Sequence, residues 1–197
     1  KITDGTDYLN VAPGYSYNKE EAAKLFKEGL AEAGLSDLKL TITADSDSPF
    51  KAAVDYIKET WEKALPGLTV EEKFVTFKQR LEDTKNQNFD VALVLWGGDY
   101  PEGSTFYGLF TSIQLITMVR QIALHTMQPM KNTFTDALDP TAAANDYKTA
   151  EKALYDEAMY NPIYFRFTKG LQNPSIKGLV RNSTGLDVDF TYAYKDK

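Results

Sequence analysis

The sequence predicts an α/β fold in which helices pack on a largely parallel sheet. Amphipathic helical stretches alternate with strand-like stretches over residues 18–95, and a further helical stretch follows residue 139. The order helix, strand, helix, strand, helix, strand favours parallel pairing, because consecutive strands are then joined by crossover helices. With 197 residues, the chain is long enough for one domain with a substantial core.

The first helix and strand are predicted from caps and alternation. Asn18 is a good N-cap before an acidic first turn, and Gly34 is a good C-cap. Leu38, Leu40 and Ile42 alternate with polar residues, which predicts a strand with one polar face.

The second helix has the clearest apolar stripe in the chain. Ser48 is predicted to cap it, Pro49 fits its first position, and the dipeptide at 66–67 ends it. The stripe consists of Phe50, Ala53, Val54, Ile57, Trp61, Ala64 and Leu65.

The remaining elements are predicted from apolar runs and turn residues. Residues 68–77 are predicted to form a strand, and residues 77–86 a short charged helix. Residues 89–95 are nearly all apolar, which predicts a strand covered on both faces in the middle of the sheet. A helix over residues 140–158 and a short strand over 163–167 are predicted to follow, before a tail of turns and short strands.

Composition excludes several classes of function. The net charge of −6 argues against nucleic-acid binding, which needs clustered Lys and Arg. The absence of cysteine excludes disulfides, thiol catalysis and cysteine-based metal sites. No apolar run approaches the roughly 20 residues of a membrane span. No nucleotide-binding or nucleophile-elbow motif is present, so no cofactor and no metal are predicted.

The loop after the apolar run is the strongest candidate for a ligand site. Ligands of open α/β sheets bind at the carboxyl ends of strands. Gly97 and Gly98 leave the backbone open to close approach. Asp99 offers a carboxylate beside the aromatic rings of Trp96 and Tyr100, which suits the ammonium group and extended backbone of a peptide. The alternative is a tight turn with a capping aspartate, and both remain open on these residues alone.

Three stretches carry a resemblance to a known family. Residues 18–35 resemble its N-x-E-A-x-x-L-x-x-x-G helix, and residues 88–101 resemble its F-D…W-x-x-D-Y strand and loop. Residues 150–164 resemble its late A-E-x-x-L…P-I-x segment. The three stretches occur in the order of the family. The chain therefore resembles the C-terminal lobe of the oligopeptide-binding proteins of ABC importers, the extracellular solute-binding family 5.

The resemblance implies a fold and a non-enzymatic function. The fold would be a periplasmic-binding-protein-like type II lobe, with a mixed, mostly parallel sheet flanked by helices, formed by residues 1–197 as a single lobe. The protein would be the substrate-binding component of a peptide ABC transporter, capturing extracellular oligopeptides for uptake. Its partners would be an oligopeptide, an N-terminal lobe encoded before Lys1, and an ABC permease. It would be exported, either periplasmic or lipid-anchored at the cell surface.

The resemblance also implies roles for the loop residues. Asp99 aligns with the aspartate that pairs with the α-amino group of the peptide. The backbone from Trp96 to Gly98 would pair with the peptide as an added strand, and Tyr100 would lie beside the bound peptide.

Residues 113–134 depart from the family pattern. They contain no acidic residue, the only histidine of the chain and three of its four methionines. With suitable codons, a neighbouring reading frame encodes family-like residues over 115–119 and 125–132, so a frame-shifted segment is one hypothesis. We expect 113–134 to be the most aberrant part of the chain, because its apolar residues fit neither the helical nor the strand period. The gene sequence would test the frame shift.

Other functional assignments are weaker. A peptide-pheromone receptor lobe would share the fold and the site but signal instead of transport. A hydrolase would need Asp99 and Glu102 as a catalytic pair, and the sequence offers no credible partner base or nucleophile. His125 as a general base or metal ligand has no acidic neighbour. Asp45 and Asp47 lack the spacing of a calcium loop and are predicted to belong to a polar loop.

Overall fold

The structure is a computed structural model, and it describes residues 5, 7–12, 14–110, 132, 138–167 and 169–196. These residues belong to two compact units: Gly14–Leu95, called here the sheet unit, and Lys1–Pro13 with Trp96–Lys197, called here the loop unit. The prediction that residues 1–197 form a single lobe stays a prediction. Residues 113–134, apart from Asn132, lie outside the described residues, as does the prediction made for them.

The sheet unit alternates helices and strands, as the sequence predicts. All three strands run parallel, in the order β2-β1-β3. The elements are α1 (Lys19–Ala33), β1 (Leu38–Asp45), α2 (Ser48–Ala64), β2 (Leu68–Val75), α3 (Phe77–Lys85) and β3 (Val91–Ala92).

Capping residues set the helix boundaries. The side-chain oxygen of Asn18 accepts the Glu21 N–H, and Gly34 ends α1 with φ +69°. The prediction that Ser48 caps α2 was wrong by one residue. Asp47 is the N-cap, because its backbone is extended whereas that of Ser48 is already helical.

The two faces of β1 are covered by different helices. On one face, apolar side chains of β1 and β2 pack with α2 in a core that includes Ile42, Val54 and Val70, all nearly inaccessible to solvent. On the other face, Asp45 pairs with Arg80 of α3, with Nε–Oδ1 at 2.9 Å and Nη2–Oδ2 at 3.3 Å. Both side chains of this ion pair are less than a tenth exposed.

The prediction of a buried central strand over residues 89–95 was wrong. The central strand is β1, whereas β3 is a two-residue edge strand, and Val91–Leu95 are only half-buried. Polar residues of β1 are buried because α3 covers their face. At the start of β3, the Asp90 carboxylate accepts the Thr41 N–H at 2.8 Å, so a side chain takes the place of a ladder carbonyl there.

The described part of the loop unit contains two α-helices, two 3-10 helices (Tyr8–Asn10 and Gly108–Phe110) and four short strands. The α-helices are α4 (Ser104–Tyr107) and α5 (Pro140–Asp156). The Asp139 carboxylate caps α5 by accepting the N–H groups of Thr141 and Ala142, each at 3.0 Å. The strands form two antiparallel pairs: β4 (Ile176–Lys177) with β7 (Tyr194–Lys195), and β5 (Val180–Arg181) with β6 (Val188–Asp189).

Residues 163–167 do not form the predicted strand. Their side chains are exposed, including Phe165 at 86% and Phe167 at 89%. No backbone hydrogen bond joins them to another described residue, so the apolar run has no strand to pair with in the described part of the chain.

Candidate functional site

Residues 96–100, called here the Asp99 loop, follow the sheet unit and are held by Thr105 of α4. The backbone N–H of Asp99 donates to Thr105 Oγ1 at 2.9 Å, and the indole Nε1–H of Trp96 donates to the Thr105 carbonyl at 3.0 Å. Thr105 is buried, at 6% exposure, so water competes poorly for these bonds. The structure therefore joins Trp96 and Asp99 through one residue.

A turn late in the chain fixes the same loop. The Gly185 N–H donates to the Gly98 carbonyl at 2.9 Å. A Cβ added at Gly98 would lie 3.2 Å from the methyl groups of Thr105 and Thr184. Gly185 has φ +68°, and a Cβ there would lie 3.2 Å from the Asp99 carbonyl oxygen. Packing therefore favours glycine at both positions.

Gly97 differs from its neighbour. It is exposed, and a Cβ added there would meet no atom within 4 Å. No described residue hydrogen-bonds to its backbone N–H or C=O, whereas the carbonyl of Gly98 is already used by Gly185. Towards the described residues, Gly97 therefore has both backbone groups open, whereas Gly98 has its carbonyl engaged.

The Glu102 carboxylate connects α4 to α5. Its Oε2 accepts the Ser104 N–H at 2.9 Å and also accepts the Ser104 hydroxyl, while its Oε1 accepts the Tyr147 hydroxyl. The ring of Tyr147 lies under Gly103, where an added Cβ would stand 3.1 Å from it. Tyr107 stacks on the same ring, with centroids 5.3 Å apart.

Two tyrosines near these residues remain neutral at physiological pH. Burial raises the pKa of the Tyr8 phenol, and the charge of Glu151, whose carboxylate accepts the Tyr8 hydroxyl at 3.1 Å, raises it further. Burial likewise raises the pKa of Tyr107. Both phenols are therefore structural hydrogen-bonding groups in this unit.

The Asp99 side chain itself is exposed, and none of the described residues donates a hydrogen bond to its carboxylate. Asp99 caps no described helix, because the carboxylate that accepts the first N–H of α4, from Ser104, is that of Glu102. Trp96 and Tyr100 flank it with about 40% and 46% of their surfaces exposed. The roles assigned to these residues stay predictions.

Sequence analysis missed the residues that hold the Asp99 loop. Thr105, Tyr147 and Gly185 belong to no motif of the sequence. One available signal was the pair Glu102 and Ser104, because an acidic residue just before a short polar helix often accepts its free N–H groups.

The other candidate sites gain no support. Among the described residues, no group of three or more His, Asp or Glu side chains is placed to hold a metal ion. Asp45 is engaged with Arg80, and His125 lies outside the described residues. None of the helices in the described ranges is both long and apolar enough to cross a bilayer.

Comparison with known proteins identifies the family. The model of bacterial extracellular solute-binding proteins, family 5 Middle, matches residues 3–114, which is more than half of the chain. The chain belongs to this family. The description of this family names solute-binding proteins.

One curated relative aligns along nearly the whole length of this chain. It is the dipeptide-binding protein of Lactococcus lactis subsp. cremoris (strain MG1363), which is 41% identical over 98% of this chain and 36% of its own length. The chain therefore spans about a third of the length of this relative.

Solved structures confirm the fold class. The oligopeptide ABC transporter substrate-binding domain from Bacillus anthracis strain Ames matches with a TM-score of 0.79 at 21% identity, covering 100% of this chain and 38% of that one. Listeria monocytogenes OppA bound to peptide matches with a TM-score of 0.70 at 31% identity, covering 92% and 34%. The predicted type II periplasmic-binding fold, with a mostly parallel sheet and flanking helices, is confirmed.

Proposed function

We propose that this chain forms one lobe of a solute-binding protein that captures oligopeptides for an ABC importer. One observation carries the proposal: the Asp99 carboxylate is exposed and accepts no hydrogen bond from the described residues, while the backbone of its loop is fixed by Thr105 and Gly185. A carboxylate on a backbone that is already fixed suits the ammonium group of a peptide, because binding then costs little conformational entropy in the loop.

The neighbouring residues suit the rest of a peptide. The open N–H and C=O of Gly97 can pair with an extended chain, as in binding by strand addition. The exposed rings of Trp96 and Tyr100 offer apolar surface for its first side chains. The names of the Lactococcus and Listeria proteins, which refer to a dipeptide and a peptide, support the same class of ligand.

The complete protein would need further parts. We propose that a second lobe of the same protein closes over the ligand and that a permease of the ABC type receives it. The family name supports a location outside the cytoplasmic membrane, either in the periplasm or at the surface on a lipid anchor. A signalling role as a peptide-pheromone receptor would use the same site and would differ in the phenotype of a deletion.

Hydrolysis is the less favoured alternative. It would require Asp99 and Glu102 to work as a pair, but the Glu102 carboxylate already accepts hydrogen bonds from Ser104 and Tyr147. The absence of a donor to Asp99 among the described residues therefore favours binding by one carboxylate over acid–base chemistry by two.

The test is retention without cleavage. The complete protein is incubated with an equimolar library of dipeptides to hexapeptides, separated from free peptide, and its bound fraction is identified by mass spectrometry. We expect intact peptides with free α-amino groups to be retained and the library to stay uncleaved. Cleavage of the library, or no retention of any peptide, would contradict the proposal.

A further inference from the structure

We propose that Glu102 and Tyr147 are positioning residues for Asp99, acting through Ser104 and Thr105 of α4. The inference rests on the function proposed above, since it concerns how the amine-binding carboxylate is held. Neither residue reaches the ligand in this account. Their role is to fix the short helix on which the Asp99 loop depends.

The Asp99 loop depends on α4. Thr105 accepts the backbone N–H of Asp99 and the indole N–H of Trp96. The Tyr100 hydroxyl lies 2.9 Å from Ser104 Oγ. Three of the five residues in the loop therefore contact two consecutive residues of one helix.

The helix α4 is too short to be stable without contacts to the rest of the unit. It has four residues, which form barely one turn, and helices of this length are unstable without tertiary contacts. Something outside the helix must fix Ser104 and Thr105, both of which are buried.

Glu102 supplies this support and is itself bonded to a buried side chain of the long helix α5. Its carboxylate accepts both the N–H and the hydroxyl of Ser104, and bonds to an ionised acceptor are about twice as strong as neutral ones. The same carboxylate accepts the hydroxyl of Tyr147, which is 8% exposed and belongs to the 17-residue α5.

Packing and hydrogen bonding at Tyr147 can be separated. The ring fills the space under Gly103, so packing alone would place the loop approximately. The hydroxyl fixes the direction of the Glu102 carboxylate. Tyr147→Phe keeps the ring and removes only the donor, which makes it the informative change.

The first measurement uses hydrogen exchange in the complete protein. In Tyr147→Phe, we expect the Asp99 amide and the Trp96 indole N–H to exchange roughly tenfold faster, as the loss of one charge-assisted bond implies. The amide of Ile42 in the sheet unit should be unchanged. Tyr56→Phe, which removes an exposed hydroxyl from α2, is the matched control and should alter none of the three.

The second measurement uses binding selectivity. An equimolar library of tripeptides to pentapeptides is offered unmodified or N-acetylated, and retention is compared. We expect Tyr147→Phe to reduce the preference for free amines several-fold, because Asp99 is less well placed. Glu102→Gln should act in the same direction and carries the test if Tyr147→Phe does not fold.

The outcomes separate this inference from the proposed function. Wild-type protein without any preference for free amines would overturn the amine site itself. Wild-type preference that survives unchanged in both variants, with unchanged exchange at Asp99 and Trp96, would overturn the positioning role alone. Equal weakening of binding to both libraries would also overturn it, because it would indicate a general structural defect and not a displacement of the Asp99 charge.

Discussion

The two units of the chain are ordered by different interactions. The sheet unit packs apolar side chains of β1, β2 and α2 into one core, and its helices and strands are regular. The loop unit relies more on single side chains that accept backbone hydrogen bonds, such as those of Glu102 and Thr105, to fix irregular backbone. A regular framework can be predicted from periodicity, whereas a binding loop is held by contacts that leave no periodic trace.

The largest predicted effect tests the ion pair of the sheet unit in which both side chains are buried, Asp45 with Arg80. Arg80→Met should lower the free energy of unfolding by about 3–5 kcal/mol, because it leaves the buried Asp45 carboxylate without a partner. Urea denaturation of the complete protein measures the loss, and hydrogen exchange at the Ile42 amide measures it independently.

The control removes both charges. Arg80→Met combined with Asp45→Val should recover most of the stability, since two apolar side chains can replace a buried ion pair without a large cost. A single variant that loses less than about 1 kcal/mol would show that the pair behaves as an exposed one.

This comparison also explains what could be predicted from the sequence. Caps at Asn18 and Gly34 and the apolar stripe of α2 are local, and their prediction is confirmed. The central strand was misplaced because the burial of Thr43 and Asp45 depends on α3, which lies over thirty residues further along. Apolar composition alone could not show which strand both helices would cover.

The candidate site was predictable only in part. The loop around Asp99 was found from glycines, aromatic rings and a carboxylate after a strand. Its distant supports could not be found, because Tyr147 and Gly185 lie over forty and eighty residues away and act through one hydroxyl and one backbone N–H. Contacts of this kind depend on the folded chain and not on local spacing.

A smaller effect is expected where the loop unit requires glycine. Gly185→Ala should cost about 1–2 kcal/mol, because an L side chain disfavours positive φ and the new Cβ would press on the Asp99 carbonyl. Gly14→Ala is the matched control: its φ is +80°, but an added Cβ meets no atom within 4 Å.

The readout for this pair is denaturation together with Trp96 indole exchange. Both variants should lose stability from the backbone strain, and only Gly185→Ala should speed exchange at Trp96. Equal exchange in the two variants would mean that the contact between Gly185 and the Asp99 loop does not stabilise the loop.

The smallest effect concerns alkaline pH. The pKa of Tyr8 is raised in the folded state, so its contribution to stability is fully present below its unfolded pKa of about 10 and is lost as pH rises above that value. Tyr8→Phe should therefore flatten the fall of the melting temperature between neutral pH and pH 11. Thermal melts across this range check it, and an unchanged slope would contradict the assigned burial of the phenol.

We expect the Asp99 carboxylate to be the counter-charge for a peptide ammonium group. The most direct test is calorimetric titration of wild-type and Asp99→Asn complete protein with one retained peptide, in its free-amine and N-acetylated forms. Asparagine keeps the size and one acceptor but supplies no charge, so the free-amine form should lose about 3–5 kcal/mol of binding free energy, more than about a hundredfold in affinity. The N-acetylated form has no ammonium group and should lose far less. Equal losses for the two forms would show that Asp99 is not the amine-binding group.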